Sequence, residues 1–239
     1  QIHTMKTLSK FFLLAGVAAL CSCTSGHNTS DKSTTSQPSS EQSASGAVSS
    51  EQGSNGQTAQ SEQVIKTIMS RRSIRKYKNT PVESEKLEQI LNCGINAPSG
   101  MNKQSWEVRV INSQKLLSEI DSTYAEFMKA NNGASANVKP AAYGAPTLIF
   151  IAHDTAYDLS QVDCGLLGAN IILSAQSMGL GTCCLGGIVR FMNSPQASSL
   201  LKRLELPEGY NLLYAIALGY PDESPAAKAR KAEKIKFIE

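Results

Sequence analysis

Apolar residues recur at helical spacing in two stretches of the 239-residue chain, and both lie beyond residue 60. Residues three and four positions apart face the same side of a helix, so each stretch predicts a short amphipathic helix. The basic run Arg71-Arg72-Ser73 ends the first stripe, and acidic residues precede the second, as suits a helix N-terminus. The two stripes consist of Val64, Ile65, Ile68 and Met69, and of Leu87, Ile90, Leu91 and Ile95.

Three further apolar runs have the character of strands. The side chains of Trp106–Ile111 alternate with period two, which is typical of a half-exposed strand. Residues 147–152 are continuously apolar, as in a central strand, and residues 212–218 predict another apolar strand. A helix is predicted between the first two strands, from Gln114 to about Ala130.

Residues 162–178 are apolar nearly all round, which predicts a helix buried in the core or at a subunit interface. Gly179 ends this helix, and Ser194-Pro195 begins another that runs to about Leu204. Strands and helices do not alternate strictly, which favours an α+β fold around a mixed sheet. No Gly-x-Gly-x-x-Gly motif follows a strand, so a Rossmann domain is not indicated.

The first 23 residues have the layout of a secretory signal peptide. Basic residues follow Met5, and the run Phe11–Cys21 is apolar and uncharged. About eleven apolar residues are too few to cross a bilayer as a helix, which takes roughly 20. A buried core helix is the alternative interpretation. Leu20-Cys21-Ser22-Cys23 resembles a bacterial lipobox, and lipidation is predicted at Cys23 because the bulky Leu20 stands before the other cysteine.

Residues 24–62 predict a disordered tether between the signal peptide and a folded domain at residues 63–239. Ser, Thr, Gln, Gly and Asn dominate this stretch, so it buries too little apolar surface to offset chain entropy. Such a coil spans about 35 Å. The predicted location is therefore the bacterial cell envelope, with the domain lipid-anchored on the periplasmic or surface side. Residues 1–4 precede the first methionine and are interpreted as a translation-start ambiguity or a cloning scar.

Charge and cysteine spacing argue against two classes of function. Residues 64–239 hold 20 of the 23 basic and 16 of the 20 acidic residues, and so small an excess does not indicate nucleic-acid binding. The cysteines in this part lack paired metal-ligand spacing, so no metal site is predicted. The adjacent Cys183 and Cys184 are interpreted as two buried small residues of a strand, with a strained vicinal disulfide as the alternative.

Four segments carry candidate chemistry. Arg71-Arg72-Ser73-Ile74-Arg75 gathers three guanidinium groups and a hydroxyl, which suits a phosphate dianion, although a solvated helix end or a lipid-headgroup patch is the alternative. The turn around Pro98-Ser99-Gly100 offers hydroxyl and amide groups to a heterocycle edge, or only to its own backbone. Gly186-Gly187 lets the backbone approach a flat ligand, or marks a simple turn. Lys228-Ala229-Arg230-Lys231 makes the tail basic.

Together these segments resemble the FMN-dependent nitroreductase-like family, in the same order over nearly all of residues 62–239. The specific signals are Arg-Arg-Ser-x-Arg and Ala-Pro-Ser-Gly-x-Asn-x-Gln-x-Trp. The resemblance implies an α+β fold, with a mixed but mainly antiparallel sheet flanked by helices. It also implies a homodimer with interlocked C-terminal segments, and FMN as the cofactor.

The resemblance implies cofactor contacts in each segment. The family residues that contact the FMN phosphate, the ribityl chain and the polar ring edge correspond here to Arg71, Arg72, Ser73 and Arg75. The family's late basic pair, which closes on the same phosphate, corresponds to Lys228 and Arg230. The segment that reaches the flavin from the partner subunit matches Pro98, Ser99, Gly100 and Asn102, with Gln104 as a further contact. The backbone near the reactive ring edge matches Gly186 and Gly187. No catalytic side chain is implied, because the flavin carries the hydride chemistry.

The implied activity is ping-pong, two-electron reduction of nitroaromatic, quinone or similar acceptors with NAD(P)H as the family's donor. Export would separate the domain from cytoplasmic nicotinamide nucleotides. The alternative is a surface lipoprotein that binds flavin or another anionic ligand without catalysis. Ser105 replaces the family's usual proline and is expected to loosen its loop. The stretch from Tyr124 to Gly144 is short and is expected to leave the pocket open.

Overall fold

The computed structural model describes residues 52–133 and 137–239. The predicted signal peptide with Cys23, residues 1–4 and the predicted tether up to residue 51 lie outside the described residues. Within them, no helix is long and apolar enough to cross a membrane. The helices of the described ranges are α1 (Gln52–Ser70), α2 (Ser84–Ile95), α3 (Gln114–Asn132), α4 (Ser160–Ser177), α5 (Gly187–Met192) and α6 (Ser198–Lys202). The strands are β1 (Trp106–Ile111), β2 (Thr147–Asp154), β3 (Gly181–Leu185) and β4 (Tyr210–Gly219).

These strands form one sheet in the order β1-β2-β4-β3, and every neighbouring pair is antiparallel. The two central strands, β2 and β4, are the most apolar ones, because they are covered on both faces. Among the residues that the structure describes, the one parallel contact is an isolated bridge between Ser73 and Thr182. The predicted α+β fold with a mainly antiparallel sheet is therefore confirmed.

The two faces of the sheet pack against different helices. Ile149, Ile151 and Ile216 point into a core shared with α2 and α4. The alternate side chains, such as Phe150 and Ala217, point into a second core shared with α3, α5 and α6. Because successive side chains of a strand face opposite ways, the continuous apolar runs of β2 and β4 supply both cores at once.

Helix α4 lies close against β4 because Gly168 has no side chain. A Cβ at that position would overlap the hydroxyl of Tyr214. The same hydroxyl donates a hydrogen bond of 2.7 Å to the carbonyl of Cys164. The buried face of α4 thus docks on the sheet, while Val162 and Leu166 on its other face are 57 % and 39 % exposed.

Two boundaries differ from the sequence predictions. Helix α1 begins at Gln52, so the prediction of a disordered tether up to residue 62 is wrong for its last residues. Adding a residue to an existing helix costs far less than nucleating one, so the apolar turns near Val64 can extend into polar sequence. The helix predicted from Ser194 to Leu204 is divided into a 3-10 turn, Pro195–Ala197, followed by α6.

Candidate functional site

The first basic segment lies along the free edge of the sheet. After α1 ends, residues 71–77 are extended beside β3, and the amide of Ile74 donates to the carbonyl of Thr182 at 2.9 Å. Four residues later, the amide of Lys78 donates to the carbonyl of Tyr220 at 2.9 Å. These bonds occupy backbone groups that an edge strand would otherwise leave unpaired. They also hold the arginines at a fixed place beside the sheet.

The chain returns to this edge after β4. The amide of Asp222 donates to the carbonyl of Lys76 at 2.9 Å, and the carboxylate of Glu223 accepts a hydrogen bond from the amide of Arg75. The return brings the two predicted basic segments together around one cavity of about 110 Å³. We call this cavity the basic pocket, and its lining residues are Arg71, Arg72, Ser73, Arg75, Pro225, Ala226, Lys228 and Arg230.

The basic pocket has the size and charge of a site for a phosphate group. Its lining includes four arginines and one lysine but no carboxylate side chain. The ion pairs found within the described residues involve none of these five cations. Its volume equals that of a few water molecules at roughly 30 Å³ each, whereas pockets for whole ligands of drug size measure roughly 300–1,000 Å³. The pocket therefore fits the anionic end of a larger molecule.

Arg72 has a second role at the end of α1. Its guanidinium donates to the carbonyls of Met69 at 2.8 Å and Arg71 at 2.9 Å. A cation at this position favourably meets the negative end of the helix dipole. The alternative interpretation as a basic helix end thus holds in part for Arg72, while its side chain also lines the pocket.

Arg75 connects the pocket to the Tyr143 ring and to the Cys183 thiol. Its guanidinium carbon lies 5.9 Å from the centre of the Tyr143 ring. Burial raises the pKa of the Cys183 thiol, although the guanidinium groups of Arg75 and Arg71 act to lower it. The net shift is upward, so this thiol is protonated at neutral pH and is a poor nucleophile.

Cys183 and Cys184 lie on β3, as predicted, and both thiols are free. Successive side chains of a strand face opposite ways, so the two thiols are directed apart. Cys183 is buried, but Cys184 is exposed, so the prediction that both are buried is wrong for Cys184. Cys184 pairs with Ile216 and so lies on the α2 and α4 face of the sheet; its exposure shows that this face is covered only in part at the edge strand.

Gly186 and Gly187 follow β3 directly and are exposed. Gly186 lies about 13 Å from Thr182, the residue that bridges to Ser73, at roughly 3.3 Å per residue along β3. A Cβ built at either glycine meets no atom within 4 Å. The structure therefore leaves open space over this backbone, on the same strand that borders the basic pocket.

The predicted contacts at Pro98–Gln104 are not brought to the basic pocket within one chain. This loop precedes β1, whose Trp106 pairs with His153 at the far end of β2. The basic segment lies level with Thr147, at the other end of the same strand. The two ends are about 20 Å apart at roughly 3.3 Å per residue. The side chains of Asn102 and Gln104 are exposed there.

The loop is ordered by contacts that the sequence prediction missed. Ser105 was expected to loosen it, but its side chain is buried and donates to Asp163 at 2.6 Å. The hydroxyl of Ser99 accepts a hydrogen bond from the backbone amide of Gln104 at 3.0 Å. For Ser99, the alternative that the turn's polar groups bond their own backbone therefore holds. The only signal for this arrangement was one acidic residue, Asp163, within an otherwise apolar helical stretch.

Comparison with known proteins gives a consistent assignment. The model of the Nitroreductase family matches residues 68–220. The chain is 33% identical over 182 residues to an NADPH-flavin oxidoreductase of Vibrio harveyi, covering 70% of this chain and 69% of the relative. A nitroreductase with bound FMN from Bacteroides fragilis superposes with a TM-score of 0.67 at 27% identity, over 74% of this chain and 98% of the other. A nitroreductase with bound FMN from Desulfitobacterium hafniense gives 0.64 at 30% identity, over 74% and 98%.

Proposed function

The chain belongs to the nitroreductase family, and from this premise we propose that it is an FMN-dependent oxidoreductase that transfers two electrons from a small-molecule donor to a small-molecule acceptor. The observation that carries the proposal is the basic pocket, in which one cavity is lined by five cations that form none of the side-chain ion pairs found within the described residues. FMN ends in a phosphate dianion, and forked guanidinium donors suit such a group. The donor set therefore fits the cofactor.

Each part of the chain has a defined task in this proposal. FMN, when bound, supplies the redox chemistry. Arg71, Arg75 and the tail residues Lys228 and Arg230 hold its phosphate, and the exposed backbone at Gly186 leaves room beside β3 for a flat ring. The cationic groups near Arg75 stabilise negative charge on the bound cofactor. The protonated thiol of Cys183 takes no part as a nucleophile.

We also propose that the active form is a homodimer. The Pro98–Gln104 loop and the basic pocket lie at opposite ends of the sheet, so one chain cannot apply both to the same cofactor. A second copy would bring its loop to the pocket of the first. The exposed apolar side chains of α1, of α4 and of the C-terminal segment supply a surface for that contact. Phe237 and Ile238, 90 % and 89 % exposed, are suited to interlocking with a partner.

The acceptors that we propose are nitroaromatic compounds and quinones. Both are flat, and both accept two electrons. A cavity of about 360 Å³ is lined in part by Tyr124, Met128 and Tyr143. The Tyr143 ring also contacts the guanidinium of Arg75, so the cavity is near the basic pocket. Aromatic and thioether side chains favour contact with aromatic rings.

We further propose that the chain is a lipoprotein of the bacterial cell envelope, anchored through Cys23. The support is the lipobox-like Leu20-Cys21-Ser22-Cys23 after an apolar run. An exported domain would need an electron donor on its own side of the membrane, in place of cytoplasmic NAD(P)H. A Cys23→Ala variant should remain unprocessed by signal peptidase II, whereas normal maturation of the variant would contradict the anchor.

The enzymatic function is tested with the FMN-loaded full chain in two half-reactions followed by flavin absorbance. NADPH or, if it fails, dithionite should bleach the flavin without oxygen, and p-nitrobenzoate or a benzoquinone should restore the colour. Free FMN at the same concentration is the control. In steady state, double-reciprocal plots should be parallel, as ping-pong transfer requires. Bound flavin that no acceptor reoxidises faster than the control would contradict the enzyme and favour a flavin-binding lipoprotein.

A further inference from the structure

The loop that follows α2 has an unusual backbone conformation. Met101, Asn102 and Gln104 have φ angles of 53°, 54° and 49°, in the left-handed region that residues with a Cβ seldom adopt. Three such residues within four positions persist only where the surroundings fix them. The loop therefore depends on contacts from outside its own sequence.

Asp163 provides the main contacts. This carboxylate is on the buried face of α4 and is 2 % exposed. One oxygen accepts the amide of Gly100 at 3.0 Å, and the other accepts the hydroxyl of Ser105 at 2.6 Å. Asp163 forms none of the ion pairs found in the described ranges, so its negative charge is stabilised by these two hydrogen-bond donors. A buried carboxylate without hydrogen-bond donors would be energetically costly. Because its two donors stand at the two ends of the loop, Asp163 ties both ends to α4.

Tyr157 fixes the same loop from a second side. A Cβ at Gly100 would overlap the Tyr157 hydroxyl, so this close approach requires glycine. The ammonium of Lys103 lies 4.1 Å from the centre of the Tyr157 ring, within the range of a cation–π contact. The loop is thus held by hydrogen bonds at Gly100 and Ser105 and by the ring between them.

We propose that Asp163 is a positioning residue for cofactor binding, which acts through Gly100 and Ser105 to hold the loop in the conformation that meets FMN on the partner subunit. This inference rests on the proposed function. Asp163 does not touch the cofactor. It preorganises the exposed side chains of Asn102 and Gln104, so that binding does not have to order them.

Two measurements on the full chain, purified in detergent, test this role. The first is hydrogen–deuterium exchange of peptides that cover residues 96–105, without FMN. The second is the FMN dissociation constant, from quenching of flavin fluorescence. Asp163→Ala should speed exchange in the loop and weaken FMN binding by about tenfold, because the side chains of Asn102 and Gln104 would then have to be ordered on binding. The matched control is Asp158→Ala, which removes an exposed aspartate five residues earlier and should change neither quantity.

Two further variants keep the test valid if Asp163→Ala does not fold. Asp163→Asn retains an acceptor for Gly100 and a group that can bond Ser105, so it should bind FMN more tightly than Asp163→Ala. Ser105→Ala should weaken binding several-fold in the wild type but not in the Asp163→Asn background if the hydroxyl acts through the charge.

The outcomes separate this inference from the proposed function. A wild-type chain that binds no FMN overturns both. Wild-type binding together with unchanged FMN affinity in Asp163→Ala and Ser105→Ala overturns the positioning role alone, and so does affinity loss without faster exchange in residues 96–105. Faster exchange with weaker binding in both variants supports it.

Discussion

Gly186 and Gly187 stand where β3 ends and α5 begins, and neither is needed there for the backbone. Gly186 has φ −78° and ψ −35°, a conformation open to any residue, and neither glycine is among those with positive φ. A Cβ built at either position would also meet no atom of the chain within 4 Å. At the scale of single residues, the lack of side chains here fits the proposed flavin site, which makes these glycines a sensitive probe of it.

We expect Gly186→Val to weaken FMN binding by at least about tenfold, because its side chain would occupy the space of the ring, at about 1.4 kcal/mol per tenfold. The fold should be unaffected, since an exposed substitution of this kind changes stability by about 0.5 kcal/mol or less. Fluorescence titration and thermal unfolding measure the two effects. Ser199→Val, also exposed but on α6 and outside the proposed dimer surface, is the control and should leave FMN affinity unchanged. Equal affinity in both variants would contradict the placement of the ring.

At the scale of elements, the contact between α4 and β4 holds one core together and sets the position of Asp163, whose carboxylate bonds the loop. Gly168 allows the approach, and Tyr214 links the two elements through its bond to the carbonyl of Cys164. Asp163 lies one residue before that carbonyl, so the same docking that buries α4 also places the carboxylate beneath the loop.

Gly168→Ala should lower the free energy of unfolding by about 1–3 kcal/mol, as overpacking of a core does. Tyr214→Phe removes the hydroxyl that the new methyl group would overlap, and alone it should cost about 1 kcal/mol of unfolding free energy. The double variant should be less destabilised than the sum of the two single variants by about 1 kcal/mol, because the residues are in contact. Urea unfolding monitored by circular dichroism measures all three. Additive losses would show that the hydroxyl does not limit the packing of α4.

The sequence predicted elements well where periodic burial decides them and poorly where polar contacts do. The strand at residues 147–152 and the helix at 162–178 follow from apolar pattern alone, and both are present. Half of the basic pocket was predictable because Arg71, Arg72 and Arg75 are close in sequence, whereas the approach of the tail residues Lys228 and Arg230 followed only from the family resemblance. Asp163 was not, since its partners Gly100 and Ser105 are some 60 residues away and only folding reveals the contact. The left-handed conformations of Met101 and Gln104 likewise carry no propensity signal, unlike that of Asn102.

At the scale of the whole molecule, most of the large apolar side chains left exposed within the described residues lie on three segments, and Ile95 and Met101 are the exceptions. The segments are α1, the start and outer face of α4, and the C-terminus, where Ile235 is 72 % exposed. Exposed apolar side chains in such number are typical of an interface. The separation of the loop from the basic pocket supports the proposed dimer as well, because the proposed FMN site takes its loop from a second chain.

Leu166→Glu should convert a dimer to monomers and lower FMN affinity together, because a charge on the outer face of α4 cannot be buried against a partner without a large cost. Light scattering after size exclusion, in detergent, measures the mass. Ser199→Glu, an exposed residue of α6 away from these surfaces, should remain dimeric. A Leu166→Glu monomer that binds FMN as tightly as the wild type would show that one chain is sufficient for the site.

The absorbance of protein-bound flavin measures most directly whether the basic pocket holds FMN. The full chain, incubated with FMN and desalted, should retain flavin in an equimolar amount. An Arg71→Ala, Arg75→Ala double variant should lose it, since each charge-assisted contact contributes about 1.5–3 kcal/mol. A Lys76→Ala, Lys78→Ala variant removes two neighbouring exposed cations that do not line the pocket and should keep the flavin. A colourless wild-type protein, or equal retention in both double variants, would contradict the account.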